Sequence, residues 1–169
     1  AKALKVPANS IAELRELAKT RRMTYSSSGA GSIQHLSAEL FLRTAGIEML
    51  HVPYKGIAPS LNDLAAGVVD ASVESLYPVQ PLIKAGKVKA LAVLTPEPVA
   101  SLPGVPTAAS QGLPGLQVSA PQFVGVPKAT PDDVVLRIGT AFQKVYSNPD
   151  VVRKLVDGGL TDNLPIAEV

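Results

Sequence analysis

Twice in succession the chain passes through an amphipathic segment, stops at a glycine and enters an apolar run. The first unit is "APSLNDLAAG" followed by "VVDASVES", with Gly67 as the stop. The second is "YPVQPLIKAG" followed by "KVKALAVLT", with Gly86 as the stop. Glycine ends a helix because it adopts the left-handed conformation without a Cβ clash. An apolar run directly behind it suits a strand buried on both faces. Helix and strand in alternation imply a parallel sheet between two helical layers. The units share a rhythm and are not a sequence repeat.

The same rhythm begins upstream. "NSIAELRELAKT" predicts a helix capped by Ser10, with Glu13 at capping-box spacing and Ile11, Leu14 and Leu17 on one face. "MTYSS" follows as a strand. "SIQHLSAELFLRTAG" predicts a second helix with Ile33, Leu36, Leu40 and Phe41 on its buried side and Gly46 as its stop. "IEMLHVPY" is then a strand. The expected fold is α/β, a three-layer αβα lobe with a mostly parallel sheet of about five strands.

Beyond Thr95 proline and glycine dominate, and "PEPVASLPGVPTAASQGLPG" predicts a surface loop with a helical piece at residues 107–111. "LQVSAPQFVGVP" reads as another strand. Thr130 is placed as the cap of a helix with Pro131 at its first position and Asp132 and Asp133 in its first turn. Asn148, Pro149 and Asp150 open one more helix in the same way.

Several function classes fall away. A chain of 169 residues supports one well-buried core. With 46% hydrophobic and 18% charged residues it has the composition of a folded protein. A formal charge of +2 with scattered lysines and arginines does not suit nucleic acid. No apolar run is long enough for a membrane helix. The absence of cysteine excludes disulfides and thiolate chemistry, and two histidines far apart in sequence make a poor zinc set. No cofactor is implied.

The segment "YSSSGAGSIQHL" is where chemistry concentrates. A strand that enters a helix through a glycine turn leaves backbone N–H groups without partners at the positive helix end, a setting for a carboxylate or phosphate. Gly29 and Gly31 allow close backbone approach, Ser27, Ser28 and Ser32 add hydroxyls, and His35 lies on the first turn. An equal alternative is a plain cap by Ser32 above a glycine turn, with His35 packed or solvated. Gln34 stands where the dinucleotide fingerprint needs its third glycine. Neither the glycine-lysine-serine ending of a P-loop nor the G-x-S-x-G of a nucleophile elbow occurs. Neither His35 nor His51 has an evident partner for serine catalysis, so the loop reads as built to hold and not to react.

"MTYSSSGAGSIQHLSAELF", "LHVPYKGIAPSLNDLAAGVVDASVES", "IKAGKVKALAV", "LPGVPTAASQGLPG" and "FVGVPKATPDDVV" follow one another in order along nearly the whole chain. In this the chain resembles the substrate-binding receptors of the tripartite tricarboxylate transporters, the TctC-like or Bug proteins. The resemblance implies a type II periplasmic-binding-protein fold, in which two α/β lobes close on a small carboxylate, sometimes an acidic amino acid, and a membrane transporter takes the ligand. It implies a periplasmic location and no enzymatic chemistry.

The family's first lobe has no counterpart here. Residues 1–125 are therefore expected to form the second lobe, and residues 126–169 a truncated return segment with C-terminal helices. Ligand contacts carried over from the family fall on Ser27, Ser28, Gly29, Gly31, Ser32 and His35, with Tyr54 and Lys55 of "HVPYKG" near the rim. Lys55 as a solvated loop lysine is the alternative. Glu74 and Ser75 occupy places where the family often has Asp-Asn. A carboxylate at Glu74 would repel an acidic ligand, favour one with an amino group, or pair with a lysine. The rival class is the ligand-sensing lobe of a transcription regulator. Dimerisation through a face that lacks the first lobe is a further expectation.

Overall fold

The computed structural model describes residues 6–119 and 124–157, which fall in two compact units, 1–119 and 120–169. The first unit is α/β. Its elements are α1 (Ile11–Thr20), β1 (Thr24–Ser27), α2 (Ile33–Ala45), β2 (Leu50–Pro53), α3 (Ile57–Ala66), β3 (Ala71–Ser72) and α4 (Leu76–Lys84), followed by a 3-10 turn at Ala109–Gln111. The second unit contains α5 (Asp132–Tyr146) and α6 (Pro149–Asp157).

The sheet is parallel, with strand order β2-β1-β3. Thr24 pairs with Leu50 and Ser27 with Pro53 on one side, and Ser26 pairs with Ser72 on the other. Each strand is separated from the next by a helix, as the alternating pattern requires. Gly46 and Gly67 end α2 and α3 in the left-handed conformation, φ 63° and 72°. Tyr25, Met23 and Ile11 form the centre of the core with Leu14, Leu42 and Leu116.

Three described strands stand where about five were expected. Within "KVKALAVLT" only Val93 makes a bridge, parallel to Thr107. The reason is local: the facing segment carries Pro106, which accepts from the Val93 amide at 2.9 Å but has no N–H to return. The carbonyl of Leu91 is met instead by the Gln111 side-chain amide at 2.7 Å. The same Gln111 accepts from the Ile11 amide at 2.8 Å. "LQVSAPQFVGVP" has no strand in its described residues, 116–119 and 124–127. The tail "TDNLPIAEV" lies outside the described residues.

The helix starts follow their sequence signals with small shifts. Ser10 accepts from the Glu13 amide at 3.1 Å, but the Glu13 carboxylate returns to the Asn9 amide at 2.7 Å, one residue before the cap. Pro131 stands at the cap of α5 and not at its first position, with Asp132 and Asp133 in the first turn. Asn148 accepts from the Asp150 amide at 2.9 Å where α6 begins.

The buried face of α2 differs from the expected one. Gln34, Ser37, Ala38, Leu42 and Ala45 face inward, while Ile33, Leu36 and Leu40 are 43%, 57% and 44% exposed and Phe41 is half-buried. Small side chains let the helix lie close over β1, and that closeness selects the inner face over side-chain hydrophobicity.

Candidate functional site

β1 ends at Ser27, and the chain turns through residues 28–32 into α2. Ser27 is fully buried. Its hydroxyl accepts from the Gly29 amide at 3.2 Å, lies 3.1 Å from the Gly29 carbonyl and stands 2.7 Å from His51 Nε2 on β2. The Ser28 hydroxyl donates to Gln34 Oε1 at 2.8 Å. Ser32 caps α2, accepting from the His35 amide at 3.2 Å.

The loop is pinned to the "HVPYKG" segment through its main chain. Tyr54 N donates to Ser27 O at 3.0 Å, and Gly56 N to Ser28 O at 3.1 Å. Gly29 has φ 143°, and a Cβ there would meet the Tyr54 carbonyl at 3.4 Å. Glycine therefore serves both a backbone conformation closed to other residues and a close strand-to-loop approach.

The backbone donors left without a partner are not the ones the glycines suggest. Gly29 N is taken by Ser27, and Gly31 N donates to His35 Nδ1 at 3.1 Å. The amides of Ala30, Ile33 and Gln34 have no hydrogen-bond partner among the described residues. They sit at the positive end of a 13-residue helix, which favours an anion by about 0.3–1 kcal/mol. The signal for Ile33 and Gln34 was the position of the Ser32 cap, since a cap satisfies the third helical amide and leaves the first two.

The two histidines, far apart in sequence, come together. The His35 and His51 rings are stacked at 4.1 Å between centroids, and Tyr25 stacks on His51 at 4.8 Å. The Tyr25 hydroxyl donates to Glu39. Burial and that bond push the Tyr25 phenol well above its usual range. Burial lowers the His51 pKa, helped by the neighbouring His35 and opposed by Glu39. His51 had no evident partner in the sequence because its partners lie on a different strand and a different helix. Its register opposite Tyr25 is what places it.

Of the other expected positions, Tyr54 and Glu74 are half-buried, while Lys55 and Ser75 are exposed. The Tyr54 hydroxyl donates to Asp63 at 2.6 Å, and this bond raises its pKa. Lys55 makes no ion pair among the described residues. Ser75 precedes α4 without a side-chain capping bond. Among the described residues Glu74 pairs with no lysine. Its Oε1 accepts from the Ser72 hydroxyl at 2.7 Å and lies 3.4 Å from the Ser60 hydroxyl, which also bonds Ser26 at 2.8 Å. Its Oε2 is buried without a partner. Burial raises the Glu74 pKa, and the two hydroxyls only partly offset this. Since Ser26 pairs with Ser72, Ser28 and Glu74 leave neighbouring strands at the same level, at the carboxyl end of the sheet. That end is where open α/β sheets take their ligands.

Solved structures of the same shape are periplasmic binding proteins, which sets the class of this fold. The chain superposes on the periplasmic binding protein BugD with a TM-score of 0.82 and 31% identity, over 92% of this chain and 52% of that one. For Rpa4515 of R. palustris with adipate the TM-score is 0.87 and the identity 36%, over 92% and 52%. For MatC (Rpa3494) from Rhodopseudomonas palustris with bound malate they are 0.81 and 29%, over 92% and 53%. The chain belongs to the tripartite tricarboxylate transporter receptor family, whose profile matches residues 2–166. A relative from a Pseudomonas species, the UPF0065 protein in the tcbD-tcbE intergenic region, is 38% identical over 164 residues, 93% of this chain and 49% of the relative. The chain thus spans about half the length of that relative and of the three structures.

Proposed function

We propose that the first unit is the second lobe of a periplasmic solute-binding receptor that captures a small carboxylate and delivers it to a tripartite tricarboxylate-type transporter. The observation that carries this reading is the set of amides at Ala30, Ile33 and Gln34 without a partner among the described residues, close to the Ser28 hydroxyl at the carboxyl end of the parallel sheet. Family membership and the adipate and malate held by two structural relatives support a dicarboxylate as the ligand class. Residues 126–169 serve as the return segment in this reading. The Ser27 hydroxyl is fully buried and tied to Gly29 and His51, which favours a holding role over a nucleophilic one.

Within that class, Glu74 tunes the choice. A half-buried carboxyl with one oxygen unpartnered disfavours a second bare negative charge nearby and favours a ligand that offers it a hydroxyl or amino donor.

Calorimetric titration of the receptor with adipate, malate, aspartate and glucose tests both statements. Binding of at least one acid, with malate or aspartate ahead of adipate, is the expected result. Binding of glucose alone, or of no acid, overturns the receptor reading; equal binding of all three acids overturns only the role of Glu74.

A further inference from the structure

We propose that His35 and His51 form a proton-sensitive latch on the glycine-serine loop, closed while His35 is neutral and released when it takes a proton.

Three contacts build the latch. Gly31 N donates to His35 Nδ1 at 3.1 Å, so Nδ1 is an acceptor and the neutral ring carries its proton on Nε2. The ring is held in that place by stacking on His51, with centroids 4.1 Å apart and planes within 14°. His51 in turn is anchored to the loop root, its Nε2 standing 2.7 Å from the hydroxyl of Ser27. The loop is thus gripped at both ends, Ser27 and Gly31, by one pair of imidazoles.

Protonation acts on one of these contacts. Imidazolium has a hydrogen on both nitrogens. A charged His35 would point Nδ1–H at Gly31 N–H, donor against donor, and that bond cannot persist in its present geometry. The Ser27–His51 contact survives, because a hydroxyl accepts as readily as it donates.

The charged and titratable groups facing the pair are few. Tyr25 from β1 stacks beneath His51 and stays protonated, while Glu39, one turn along α2 from His35, accepts from the Tyr25 hydroxyl. Glu39 is the negative charge that acts on His51. His51 is held toward its neutral form by burial and by its neighbour, against Glu39; the contact that a proton would break is the one at His35 Nδ1. Two imidazolium ions at this spacing would repel strongly.

Release frees the Gly31 amide next to those of Ala30, Ile33 and Gln34. Only this consequence rests on the receptor reading: an acid arriving at the loop would find one more donor at low pH than at high pH.

Nitrogen-15 spectra of the chain without any acid, recorded from pH 8 to pH 5, where imidazoles titrate, test the latch directly. At pH 8 the His35 Nδ1 should carry no proton. As pH falls, the Gly31 amide signal should move with the same midpoint as the His35 ring, and its exchange protection should drop about tenfold, the worth of one hydrogen bond. His51→Phe keeps an aromatic ring on the stack, so in that variant the Gly31 signal should still follow the His35 ring. A Gly31 signal that stays flat while His35 titrates, or a His35 proton on Nδ1 at pH 8, overturns the latch. Neither result touches acid binding, since no acid is present.

Discussion

Ser27 Oγ and His51 Nε2 stand 2.7 Å apart across the β1–β2 pair, the serine buried and the histidine half-buried. A serine and a histidine at this spacing suggest a nucleophile with its base. Here the hydroxyl is already an acceptor for the Gly29 amide, so the pair braces the loop from underneath.

Removing that brace should be costly. Ser27→Ala leaves the Gly29 amide and His51 Nε2 without their partner, and loss of a buried partner costs about 1–3 kcal/mol. Urea unfolding of the variant should show a fall in that range. A change below about 0.5 kcal/mol, the level of a plain surface substitution, would show that the contact carries no weight.

The two loop glycines should respond unequally. Gly29→Ala combines φ 143° with a close contact to the Tyr54 carbonyl, and Gly31→Ala meets open space at φ 78°. The first should lose about 1–3 kcal/mol as backbone strain, the second about 1 kcal/mol, the cost of a single left-handed residue. Thermal unfolding of the two variants side by side decides it; equal losses contradict the geometry.

Glu74 gives stability a defined slope with pH. Its folded pKa lies above the ordinary carboxyl value of 4.5 because the charged form is buried. Between those two values the folded state holds more proton than the unfolded state, so stability falls as pH rises through that window. Glu74→Gln keeps an acceptor for Ser72 and removes the titration. Wild type should therefore lose stability relative to the variant on going from pH 4 to pH 8. A parallel course of the two proteins would show that Glu74 ionises freely.

Helix α2 offers a test of its inverted face. Leu36→Gln at a 57% exposed position should change stability by less than about 0.5 kcal/mol. Ala38→Leu, at 1% exposure, overfills the contact with β1 and should cost about 1–3 kcal/mol. Chemical denaturation measures both. The opposite order would restore the arrangement expected from hydrophobic periodicity.

That inversion also marks where sequence patterns stop being informative. A capping box located α1, glycine stops located α2 to α4, and the runs between the helices located the three described strands, since these signals act over a few neighbouring residues. The inner face of α2 was missed because Ser37, Ala38 and Ala45 earn burial by being small, which periodicity does not weigh. The strand expected around Val93 depended on a partner segment whose Pro106 sits thirteen positions further on. At the site, Ser27 to Ser32 were visible as a glycine-rich helix entry. The internal use of the Gly31 amide by His35, and the approach of His51, follow from strand register and stacking. Those are properties of two distant segments at once, and no single stretch of letters contains them.

Gln111, a hundred positions from Ile11, supplies with one side chain what a missing ladder would have supplied with several residues: it ties the start of α1 to the carbonyl of Leu91. A protease that cut the proline-rich connection between Leu91 and Gln111 would sever the chain without separating the pieces. The nicked unit would stay sewn together at that amide and at the core that Leu113 and Leu116 share with Ile11 and Leu14.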